Sequence, residues 1–195
     1  MKSNVKKYTD QSLLQRMSSL PSFKGYPYGY FDIWVRSNED AYNIFDDKVY
    51  TYYYNGNDAP QFIMCCTGTS NAGSFGLKRF FKYNSKGCAI LKSNVIVYDS
   101  HILGKHKGKY PAYIQSYKNP FPYYRDFNKN HKAEELGPIF YNRIGANCHK
   151  AGWFSKYINN WSLGCLVRNQ QKQFNLWMET LNKQPTLTVC ILKEF

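Results

Sequence analysis

The chain has 195 residues and is 43% apolar, a length and balance that suit one globular domain and exclude wholesale disorder. Its formal net charge is +13, which favours anionic partners, but the charge is spread along the chain and forms no basic tail. No stretch nears the ~20 apolar residues of a membrane span. The basic start, Met1 to Tyr8, has no apolar core behind it, so the sequence predicts no secretory signal.

Aromatic residues make up 18% of the chain, mostly Tyr and Phe, which favours strands and an aromatic-lined cleft. Thr9 to Leu20 predicts a short helix. Thr9 or Asp10 caps it, Leu13, Leu14 and Met17 share a face, and Pro21 ends it. Tyr30 to Val35, Thr51 to Tyr54 and Gln61 to Thr67 predict strands, the last two separated by the turn Asn55-Gly56-Asn57-Asp58. Cys88 to Leu91, Asn94 to Tyr98, Ala112 to Tyr117 and Tyr123-Tyr124 continue the pattern. Further on, Phe174, Trp177, Met178 and Leu181 recur at helical spacing, with Asn169 as the expected cap. Thr186 to Leu192 predicts a closing strand. Together these predict a β-rich α+β domain over residues 1–195, with an N-terminal helical segment over 1–20. The close strand spacing suits a sandwich or barrel.

Six cysteines are present. With no signal and a domain large enough to fold without staples, they read as free thiols. The informative stretch is Asn147-Cys148-His149-Lys150 followed by Asn160-Trp161-Ser162-Leu163-Gly164-Cys165. A cysteine nucleophile needs a base to take its proton and N–H groups to hold an oxyanion. His149 is the expected base for Cys165, and Gly164 lets the backbone turn sharply and aim N–H groups at one point. A helix starting near Asn169 is expected to favour the thiolate.

His149, Ser162, Gly164 and Cys165 together resemble the catalytic motif of the L,D-transpeptidase (YkuD-type) family: a histidine, a loop, then Ser/Thr-His-Gly-Cys. Thr67 to Phe75 resembles that family's strand-ending stretch. A closer resemblance, over most of residues 20–190, is to cysteine-containing transpeptidase-like cell-wall hydrolases of phages and gut bacteria. It rests on Phe45-Asp46-Asp47-Lys48, Gly104-Lys105-His106-Lys107-Gly108, Tyr124-Arg125-Asp126 and the Ser162 to Cys165 motif. The chain departs from the main family in carrying Leu163 at the second histidine's place. It also carries its arginine, Arg168, one position later.

The resemblance implies an L,D-transpeptidase-like β-sandwich or barrel with a C-terminal helix packed on it. It implies a cysteine enzyme acting on peptidoglycan stem peptides through a thioacyl group on Cys165. His149 is then the base, oriented by Ser162 or by a backbone carbonyl near Lys150, and the N–H groups of Gly164 and Cys165 hold the oxyanion. Trp161, Arg125, His106, Tyr110 and Trp153 are the expected substrate-binding residues, with Tyr124 a further aromatic of that cleft. Arg125 is the one suited to a bidentate carboxylate pair. The expected partner is the anionic cell wall, without nucleic acid, and the protein is expected as a monomer. It is expected in a host cytoplasm before release to the wall, in the manner of a phage endolysin. No cofactor is expected. Cys148, His149 and Cys165 lack the tight pairs of a zinc site. Asp126 to Asn130 begins like a calcium loop without its glycine or distal Glu. The rival reading is a non-catalytic basic, tyrosine-rich module that binds nucleic acid, a virion or the wall.

Overall fold

A computed structural model of the chain describes residues 6–38, 42–83 and 87–195, with the side chains of 79–83 left aside. The elements in chain order are α1 (Asp10–Ser18), β1 (Gly29–Arg36), β2 (Asp47–Tyr54), β3 (Gln61–Thr69), α2 (Ser74–Tyr83), β4 (Cys88–Leu91) and β5 (Val95–His106). They continue with β6 (Tyr110–Gln115), β7 (Tyr123–Asp126), β8 (Cys148–Lys150), β9 (Leu166–Arg168), α3 (Gln171–Thr180) and β10 (Thr186–Lys193). Eight strands close into a barrel in the order β1-β10-β5-β6-β8-β9-β3-β2, and β4 pairs with β7 beside it. The β1–β10 and β8–β9 pairs are parallel, and the other ladders are antiparallel. The expected β-rich architecture with a late helix packed on it is therefore present.

Strand alternation builds two apolar layers. On β1, Trp34 joins the interior with Val49, Tyr113, Leu166 and Val189, while Phe31, Ile33 and Val35 face out beneath α1. Helix α1 covers that outer face with Leu13, Leu14 and Met17. Thr9 caps it, its side chain accepting from the Ser12 N–H at 3.2 Å. Helix α3 contributes Phe174 and Trp177 to the interior layer.

An ion pair crosses that interior. Arg168 on β9 donates to Asp32 on β1 at 2.8 Å, and both side chains are fully buried. Trp177 from α3 adds an N–H to the other Asp32 oxygen at 3.3 Å, and its ring lies 3.7 Å beneath the guanidinium. Thr51 on β2 also donates to Asp32 at 2.7 Å, so four elements are tied at one carboxylate.

Several boundaries differ from expectation. Gln170, with no side-chain cap bond, precedes α3, while Asn169 accepts from the Thr67 hydroxyl at 2.7 Å. The stretch after Thr69 turns into α2, which the sequence reading did not contain. Strands β8 and β9 have three residues each, too short to show an alternation.

Candidate functional site

The parallel β8–β9 pair places His149 opposite Val167 and Cys148 opposite Leu166. Cys165, the residue before β9, therefore lies beside the start of β8. The turn into β9 is built by Ser162. Its hydroxyl donates to the Cys165 carbonyl at 2.9 Å and accepts the Gly164 N–H at 3.2 Å. Gly164 has φ +119°, and a Cβ there would stand 2.8 Å from the Ala89 carbonyl oxygen. Both facts require glycine. Ser162 is thus a strut of the turn, and among the described residues no hydrogen bond joins it to the imidazole. The Gly164 N–H is already engaged within the turn.

His149 is 2% exposed. Its Nδ1 lies 2.8 Å from the Lys150 carbonyl, an acceptor, so Nδ1 carries the proton and donates it. Nε2 is buried with its lone pair and no partner. Of the two orienting groups expected, the backbone carbonyl is the one the ring meets.

His106 is also buried, and its ring stacks on His149 with centroids 4.0 Å apart. Asn147 fixes the second ring: its Oδ1 accepts the Gln115 N–H at 3.0 Å, which turns Nδ2 toward His106 Nδ1 at 3.2 Å. His106 is therefore a wall of the site and a support of the base at once.

The sulfur of Cys165 is turned toward the Gly145 carbonyl, 3.7 Å away, and among the described residues no hydrogen bond joins it to His149. Gly145 belongs to a tightly held segment. The N–H groups of Ile144, Gly145 and Ala146 converge on Gln115 Oε1 at 2.9, 2.7 and 3.1 Å. The Ala146 carbonyl accepts from buried His101 at 2.9 Å.

Cys165 and His149 open onto one cleft of about 300 Å³, together with His106, Lys107, Asn147 and Trp161. Burial raises the Cys165 thiol above its ordinary value, although the Asn147 N–H and Lys107 pull the other way. Burial lowers His149 to about 3, and the neighbouring His106 adds to the effect. Burial and Lys107 lower His106 as well. The resting pair is a neutral thiol and a neutral imidazole. The helix expected to favour the thiolate does not reach it, because β9 separates Cys165 from α3.

Other predicted residues lie elsewhere. Arg125 stacks 4.8 Å over Tyr123 and donates to the Gly87 carbonyl at 3.1 Å, so its guanidinium braces β4 and β7 and not the cleft. Tyr124 lies on the same strand, β7. Trp153 is 84% exposed and outside the cleft lining. Tyr110 stands behind the site, its ring 5.6 Å from His106 and its hydroxyl 3.5 Å from the Lys150 carbonyl. Cys148 points into the core, away from the cleft. The calcium-like stretch folds on itself, with Asp126 accepting the Asn128 and Glu134 N–H groups.

Gln115 and Asn147 organise the site, yet neither carries a spacing signal, since each acts through tertiary hydrogen bonds. Compared with known proteins, the chain matches no family model, no curated protein and no solved structure, so its chemistry is argued from this geometry.

Proposed function

We propose that this is a cysteine enzyme acting on peptidoglycan stem peptides, with Cys165 as nucleophile and His149 as base, on an L,D-transpeptidase-like fold. The observation that carries the reading is the buried, unpartnered Nε2 of His149, a residue that lines the same cleft as Cys165, with the tautomer set by the Lys150 carbonyl. A base needs a free lone pair within reach of the proton it takes, and a nucleophile needs room for its substrate.

The neutral resting pair dictates the order of events. An ion pair in the empty cleft is disfavoured, so the proton leaves sulfur as the sulfur–carbon bond forms. The thiol releases the Gly145 carbonyl and attacks the peptide carbonyl, and its proton passes to His149 Nε2. The oxyanion is met by the Cys165 N–H. The C–N bond then breaks, the amine leaves with the proton from Nε2, and a thioester remains on Cys165. Water or an acceptor amine attacks the thioester and returns a proton through His149 to sulfur. Lys107, the one formal charge on the cleft wall among the described residues, suits a carboxylate of the stem peptide.

The test is digestion of purified peptidoglycan by wild type and by Cys165→Ala, with products identified by mass spectrometry. The wild type is expected to yield new peptide termini or new cross-links and the variant none. Identical product patterns from both would overturn the reading.

A further inference from the structure

A second, wider hollow of about 910 Å³ lies beside the cleft. Its walls carry Tyr98, Tyr117, Tyr141, Lys24, Lys118 and Arg143, and among the described residues no acidic side chain lines it. Tyr117 is 73% exposed and Tyr141 66% exposed, which leaves two large rings standing in solvent in one depression. Arg143 is held in place. Its Nε donates to the Gln115 carbonyl at 3.0 Å, and its guanidinium lies 4.1 Å over the Tyr117 ring.

The hollow and the cleft share a wall. Tyr141, Asn142 and Arg143 border the hollow, and the residues that follow directly, Ile144 to Asn147, border the cleft. Gln115 pins both halves of that segment, with its carbonyl on Arg143 and its side-chain oxygen on residues 144–146.

We propose that this hollow binds an acidic glycan strand, sugar rings bearing carboxylates, next to the point where Cys165 meets its peptide. The identity of the glycan rests on the peptidoglycan reading above; the binding chemistry does not. Apolar C–H faces of sugar rings pack on exposed tyrosine rings, and carboxylates pair with guanidinium and ammonium groups. A groove carrying cations and rings but no acid selects a polymer that is both ring-shaped and anionic. The common wall favours a glycan over an oligonucleotide: a stem peptide takes up the carboxylate of the sugar that carries it, so a peptide-free, carboxylate-bearing sugar sits in the hollow while the peptide on a neighbouring sugar falls into the cleft.

The test uses Cys165→Ala, so that binding is read without turnover. Its probes are glycan strands stripped of peptide, neutral chitin oligomers and a single-stranded oligothymidine, each titrated by calorimetry. The acidic strands are expected to bind most tightly. Adding Tyr117→Ala with Tyr141→Ala should weaken them by about tenfold or more, as should Arg143→Gln alone, with the melting temperature checked for each variant. Equal affinity for the neutral oligomers, tighter binding of oligothymidine, or no change in the variants would overturn the proposal. Glycan binding without any peptidoglycan cleavage by wild type would leave the groove standing and remove the enzyme reading.

Discussion

The Cys165 thiol and the His149 imidazole are both held neutral at rest. The direction follows from burial: the charged form of each group loses hydration, so the thiol pKa rises and the imidazole pKa falls. Iodoacetamide consumes thiolate, so at pH 7 Cys165 should be alkylated more slowly than free cysteine, its rate climbing as the pH passes 9. Mass mapping of alkylated peptides across pH checks this. Rapid labelling of Cys165 at neutral pH would show an ion pair at rest. The sequence pointed to Cys165, His149 and Gly164, which the structure brings to one cleft, because a thiol, an imidazole and a tight turn each demand a residue type. It concealed the stacking of His106 on His149, since two rings 43 positions apart leave no spacing to read. The expected thiolate failed for a related reason: a three-residue strand, invisible to periodicity, intervenes before the helix.

Gln115 at the end of β6 connects the elements around the site. Its side-chain oxygen gathers three N–H groups of the segment that presents Gly145 to the Cys165 sulfur. Its backbone N–H sets Asn147, which sets His106, which stacks on His149. Gln115→Ala strands buried donors, at a cost of roughly 1–3 kcal/mol for each one left unsatisfied. Lower denaturant stability and lower turnover are expected together, whereas Gln115→Glu, which keeps the acceptor, should recover much of the turnover. Equal turnover for Gln115→Ala and wild type would remove Gln115 from this role. Long strands such as β1 and β10 were legible from their β-branched and aromatic runs. Strands β8 and β9, which set Cys165 beside the strand that carries His149, were not, because partners far away in the chain create them.

Among the described residues three buried histidines, His101, His106 and His149, are held below the ordinary imidazole value by burial, and they shape the response to acid. His101 is fully buried, donates to the Ala146 carbonyl, and is lowered to about 4 by burial. His149 is lowered to about 3. An unfolded histidine takes a proton near pH 6.5, and the folded ones refuse it until these lower values. The unfolded state therefore binds more protons in that window, and stability falls as the pH drops from about 6.5 toward 4. Each histidine contributes up to about 1.4 kcal/mol per pH unit, fully restored above the unfolded value. Urea midpoints measured across this window should slope downward into acid, and His101→Gln should flatten the slope. An unchanged slope would mean that His101 titrates normally. The predominance of strands and the aromatic core were evident from composition, but the barrel's closure was not.

That closure sets a timetable. Strand β10 sits between β1 and β5, bonded to both, although most of the chain separates it from β1. During synthesis the two waiting edges stay unmated until β10 clears the ribosome, so the Ser162–Cys165 turn, made earlier, remains without its scaffold. Contacts of such sequence span form slowly. A protein assembled this way reaches its closed barrel, and with it the final geometry of the Cys165 cleft, only after β10 has been translated.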